Sequence, residues 1–212
     1  MKAFSRAGDG HVTTTLAPDE AALLSELAGQ IADMLAPIAR KEQGADATGG
    51  GDPDSAALRG DDSPDDSSDG LPDGPAGALG GATYRRTRTS ALDRLLPDAY
   101  RGDEEAAAEF RRFTAGDLSE RKIRNAAIVM ADLSDAPNSP GPVDVTLDPD
   151  SVQAWLRSLT DIRLVVASRL GIDSDDGWNE DSDDENELMH GELYDWLGWI
   201  QDSLLSAFED RA

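Results

Sequence analysis

Few side chains in this sequence are of types that do chemistry. His11 and His190 are the only two histidines, and no cysteine occurs among the 212 residues. That absence excludes disulfides, zinc–thiolate and iron–sulfur sites, thiol nucleophiles and thiol redox switches. A two-histidine metal site would need converging carboxylates, and no ligand spacing announces one. Gly49-Gly50-Gly51 lies in a low-complexity stretch and fits neither a phosphate loop nor a dinucleotide fingerprint. No Gly-x-Ser-x-Gly elbow is present. Carboxylate pairs abound, but most lie in tracts that give them no fixed geometry for acid–base work. These residue types predict no enzyme and no cofactor.

The cations are more informative. Residues 84–124 hold ten of the 19 bases, against eight acids. Arg85, Arg86 and Arg88 form a short patch. Arg111, Arg112, Arg121, Lys122 and Arg124 flank the segment Thr114-Ala115-Gly116-Asp117. Read as a turn, that segment separates two helices. If the pair is a helix-turn-helix, these five bases contact phosphate or base edges, with Ser119 and Asn125 alongside. If it is an antiparallel helical hairpin, the same bases pair with neighbouring acids. Either way, the five are the candidate DNA- or partner-binding residues.

The elements that must carry them are mostly helical. Ala3–Arg6 and His11–Leu16 flank Gly8-Asp9-Gly10, the pattern of a hairpin. Pro18-Asp19-Glu20 opens a helix whose apolar face is Leu24, Leu27, Ile31, Leu35 and Ile38, and Pro37 predicts its end or a kink. Leu92, Leu95 and Leu96 make a helical turn before Pro97, and the chain becomes ordered near Tyr84. Asp103-Glu104-Glu105 starts the next helix. Beyond the expected turn, Leu118, Ile123, Ala126, Ala127, Met130 and Leu133 give another apolar face. Residues 143–147 alternate as a strand able to pair with the hairpin. Asp148-Pro149 caps a helix carrying Val152, Trp155, Leu159, Ile162, Val166 and Leu170, which Gly171 stops. A last helix carries Leu193, Trp196, Leu197, Ile200, Leu204 and Phe208. The expected fold is mainly α: a bundle of about five helices with a small β element, the N-terminal hairpin plus a strand near 143–147. The stripes explain Trp155 and Trp196 as core.

The net charge of −24 is uneven. Residues 42–80 hold ten acids and one base, and residues 173–187 hold nine acids and no base. The remaining 158 residues carry only −6, an ordinary charge for a folded domain, whereas a salt-adapted surface would spread its acid throughout. Gly, Pro, Asp and Ser dominate 42–80, which reads as a disordered linker. The 173–187 stretch reads as a disordered acidic loop. It is no EF-hand, because Gly177 at position 6 would put Ile172 at position 1. The expected organisation is one domain, built from 1–41, 81–172 and 188–212. No signal-peptide pattern and no apolar run of about 18 residues is evident, so the expectation is a cytoplasmic protein without membrane contact.

Four stretches carry a resemblance. They are Asp93-Arg94-Leu95-Leu96-Pro97-Asp98-Ala99-Tyr100; Glu109-Phe110-Arg111-Arg112-Phe113-Thr114 with Asp117-Leu118; Ala154-Trp155-Leu156 with Leu159 and Asp161-Ile162-Arg163-Leu164; and Tyr194-Asp195-Trp196-Leu197-Gly198-Trp199. With Phe4 and Leu23-Leu24 they resemble an actinobacterial family long catalogued as a domain of unknown function and named for AosR, an oxidative-stress transcriptional regulator. The resemblance implies a cytoplasmic regulator working with an extracytoplasmic-function sigma factor at promoters. The family's redox sensing is attributed to a cysteine pair, which this chain lacks. The expected function is therefore transcription-associated regulation through a sigma factor or RNA polymerase, with weak DNA contact and no thiol switch. The alternative is a non-enzymatic adaptor or scaffold that never touches DNA.

Overall fold

The computed structural model describes residues 1–46, 91–97, 104–134, 141–172, 178, 180 and 182–210, with only the backbone of 42–46 and 104–113. The expected linker beyond residue 46, Arg85–Arg88 and the ordering near Tyr84 lie outside the described residues.

The N-terminal hairpin forms as expected. Strand β1 (Ser5–Arg6) runs antiparallel to β2 (Val12–Leu16), with Ser5 opposite Thr13 and Arg6 opposite Val12. The turn closes through Gly10 N–H to the Ala7 carbonyl (3.0 Å), with Gly10 at φ +90°, a conformation that favours glycine. Strand β3 (Val143–Leu147) pairs antiparallel with β2, from Val12 opposite Leu147 to Leu16 opposite Val143. The sheet order is β1-β2-β3. Val143, Val145 and Leu147 are buried, while Asp144 and Thr146 are exposed, the period of two of a half-buried sheet.

Helix α1 spans Pro18–Asp46. Its N-terminus is closed by Glu20, which accepts the Ala17 N–H at 2.7 Å, half of a capping box. Pro37 neither ends nor divides it. The ring faces solvent while Leu35 and Ala39 are buried on either side, so packing outweighs the single lost backbone bond. The helix also runs five residues into the stretch read as linker. By length and composition Pro18–Lys41 is apolar enough to cross a membrane, a point the sequence reading missed. In the fold it is a core helix: Leu24, Ala28 and Leu35 are fully buried.

Residues 91–95 form the short helix α2, with Leu95 buried. Helix α3 (Glu104–Asp132) is continuous, which overturns both the helix-turn-helix and the hairpin. Thr114-Ala115-Gly116-Asp117 lies inside it. A glycine in a helix interior costs only about 1 kcal/mol, and no proline interrupts the segment. Gly116 is buried, and α3 packs along α1 more extensively than any other helix pair in the fold. The buried face is also rotated from expectation: Ser119, Ala126, Val129 and Leu133 are inside, while Ala127 and Met130 are exposed.

Helix α4 (Pro149–Leu170) starts and stops as its caps dictate. Asp148 Oδ1 accepts the Ser151 N–H at 2.7 Å, and Gly171 adopts φ +67° at the other end. Helix α5 (Glu185–Glu209) begins inside the stretch read as disordered, with Asp184 Oδ1 accepting the Asn186 N–H at 2.9 Å. The fold is thus mainly α, five helices among the described residues with a small antiparallel sheet. One apolar core joins them. Trp155, fully buried, sits edge-on to Phe4 with centroids 6.1 Å apart, and its indole N–H donates to Asp132 at 2.7 Å.

Candidate functional site

The five candidate bases all lie on α3, but they do not form one surface. Lys122 points inward. Its ammonium pairs with Asp161 of α4, and the two side chains are only 16% and 4% exposed. Burial pushes the Asp161 carboxyl above the usual carboxylate range, and the Lys122 ammonium opposes that rise. Lys122 therefore braces α3 against α4. Arg121 is exposed and donates from Nε to the Asp117 carbonyl one turn back, at 3.4 Å. Arg124 is exposed and lies 3.4 Å from Glu120 on the same helix. Arg111 and Arg112 belong to α3, and their side chains lie outside the described residues. Ser119, read as a surface contact, is fully buried, and its hydroxyl has no hydrogen-bond partner among the described residues.

Two of the four stretches that carried the resemblance, those on α4 and α5, meet. Arg163 of α4 lies over the Tyr194 ring of α5, 4.6 Å from its centroid. Its Nη1 donates to Gln201 at 3.0 Å, and Gln201 donates to Thr160 at 2.9 Å. Gly198 leaves room for this guanidinium, since a Cβ there would stand 3.4 Å from Nη2. Asp132 is likewise explained by Trp155: burial raises its carboxyl, and the indole N–H opposes the shift. These residues tie helices together, so in the α4 and α5 stretches Trp155, Arg163, Tyr194 and Gly198 are framework.

Both histidines are accounted for locally. His11 sits beside Asp9 in the hairpin turn, and His190 Nδ1 lies 2.6 Å from the Asn186 carbonyl. Among the described residues, no group of three or more His, Asp or Glu side chains is arranged to hold a metal. An open cleft of about 880 Å³ separates the hairpin turn from the end of α5, lined in part by Phe4, Arg6, Asp9 and Asp210. Arg6 there donates to the Phe208 carbonyl at 2.8 Å, closing the sheet onto the helix.

Sequence reasoning missed two surface features. On α5, Met189, Trp199 and Leu205 are 54%, 45% and 41% exposed. In the acidic loop, Trp178 lies directly on Gly191 of α5 and donates to Asp195 at 3.2 Å. The bare Gly191 backbone is the seat for the indole, and a tryptophan within an acidic run was its only sequence signal.

No curated protein matches this chain, and no solved structure does. A family model described as Domain of unknown function (DUF2017) matches residues 1–208. That match takes in every described element from β1 to the last turn of α5, and the chain belongs to the DUF2017 family.

Proposed function

We propose that this protein is a cytoplasmic, non-enzymatic, transcription-associated regulator that acts through a protein partner, a sigma factor or RNA polymerase. The resemblance of its motifs to the AosR-like regulators supports the transcriptional setting. The observation that favours protein contact over DNA reading is the unbroken α3 with Lys122 turned into the core. A recognition helix needs a free turn before it and cations on one face. Here the expected turn at 114–117 is helical, and one of the five cations is consumed internally. The net charge of −24 further opposes phosphate. With no thiol, the regulator senses nothing through cysteine.

The test is a pull-down from native cytoplasm with the full chain as bait, with and without nuclease. Nuclease-resistant recovery of a sigma factor or polymerase subunits supports the reading. Recovery of protease or metabolic components alone moves the assignment to the adaptor.

A further inference from the structure

The two edges of the small sheet are treated differently. At β1 the outward side is partly met by α5. Ala7 N–H donates to the His11 carbonyl at 2.8 Å, which makes 7–11 a hydrogen-bonded pair. By antiparallel alternation Ser5–Thr13 is the next, so Phe4 and Arg6 direct their main-chain groups away from β2. The Phe4 N–H is met there by Ser203 Oγ of α5 at 2.7 Å, and the Arg6 side chain reaches the Phe208 carbonyl.

The same alternation fixes β3. Residues 11, 13 and 15 of the β2 segment bond toward β1, so Val12, Thr14 and Leu16 bond toward β3. Their partners Leu147, Val145 and Val143 face β2. Asp144 and Thr146 therefore point their N–H and C=O groups outward, and among the described residues no strand pairs with them. Both residues are exposed. Proteins blunt such edges with lysine, internal proline, bulges or a covering helix. Val143–Leu147 has none of these within it, and its register is unbroken. Asp144 does not guard the edge, because its carboxylate accepts from Thr15 back across the sheet at 2.8 Å.

The chain on either side of β3 is acidic. Residues 125–156 contain five acids and no Lys or Arg. Asp144, Asp148 and Asp150 are exposed on or next to the strand. A second copy would bring the same acids against them.

We infer that the open edge of β3 accepts an extended, basic peptide segment of a partner protein as a fourth strand, through the main-chain groups of Asp144 and Thr146. The inference rests on the reading of a protein partner. It is distinguishable from it, because a polymerase pull-down can succeed through another surface.

The experiment uses the full chain and a short labelled peptide alternating lysine with valine, beside a counterpart with glutamate for lysine. Binding is followed by anisotropy and by amide hydrogen exchange. The lysine peptide should bind at least about tenfold more tightly than the glutamate peptide, and should slow exchange at Asp144 and Thr146. Thr146→Pro removes an outward N–H without breaking the β2 ladder, and should weaken binding about tenfold or more. Should that variant unfold by circular dichroism, Thr146→Lys takes its place and should weaken the lysine peptide similarly. Affinity unchanged in the folded variant, or no added protection at the two amides, would show only electrostatic attachment to the acidic tracts and overturns the inference. Concentration-dependent protection of both amides without peptide would make a second copy the occupant, and overturns it equally.

Discussion

Lys122 and Arg121 are adjacent bases on one helix, yet they have opposite roles. Their residue types do not reveal this, because the partner that draws Lys122 inward, Asp161, is 39 residues away. Removing one member of a buried pair strands the other, so Lys122→Met or Asp161→Leu alone should cost about 3–5 kcal/mol. Lys122→Met with Asp161→Leu should recover most of that loss. Denaturant unfolding of the three variants checks this, and an additive double variant would contradict the pairing. Arg121→Ala, on the exposed face, should change stability by about 0–1 kcal/mol. Asp132 provides a pH signature. Its carboxyl is raised by burial, so the folded state holds its proton above the ordinary value of 3.8. Stability through this group is therefore greatest in acid and falls as pH rises from 3.8 through the raised pKa. Asp132→Asn keeps an acceptor for the Trp155 indole and loses the titration. Its melting temperature relative to wild type should rise across that window. A constant difference would mean that burial does not govern this carboxyl. Asp148 acts in the opposite sense: the Ser151 N–H lowers its pKa, so its contribution is present above 3.8 and is lost as pH falls through the lowered value.

Elements with local signals were legible in the sequence. The hairpin declared itself through Gly8-Asp9-Gly10, α4 through Asp148-Pro149 and Gly171, and β3 through strict alternation. The misread elements are those in which packing outweighs a local breaker. Pro37 sits on the solvent side of α1, and Gly116 is buried within α3, so both helices run through residues that weaken an isolated helix. The start of α5 was hidden for another reason: nine acids in residues 173–187 masked the cap at Asp184 and the Trp178 anchor. That anchor is testable. A methyl at Gly191 overlaps the Trp178 ring, so Gly191→Ala should expel the indole into water and shift its emission to longer wavelength. The shift should vanish when the same change is made with Trp178→Phe. A shift of equal size in that background would place its origin elsewhere.

At the scale of the whole molecule, residues 47–80 are dominated by Gly, Pro, Asp and Ser and offer too little apolar surface to offset the cost of ordering them. Deleting them should leave the melting temperature nearly unchanged, and loss of cooperative unfolding would show that the stretch contributes packing. The same deletion removes eight acids and one base. If exposed arginines do touch DNA, affinity should rise in the truncated chain and fall steeply with salt in both. Absence of salt-dependent binding in either form confines the protein to protein contacts. The order of the sheet carries a consequence for synthesis. Strands β1 and β2 are made first, but β3, the other neighbour of the central strand, follows only after α3, and the Ser203 hydroxyl that meets Phe4 comes at the far end of the chain. A nascent chain must therefore carry Leu16 and Phe4 unsheltered through most of translation. Contacts so distant in sequence fold slowly, and the unfinished sheet is a natural client for a ribosome-associated chaperone.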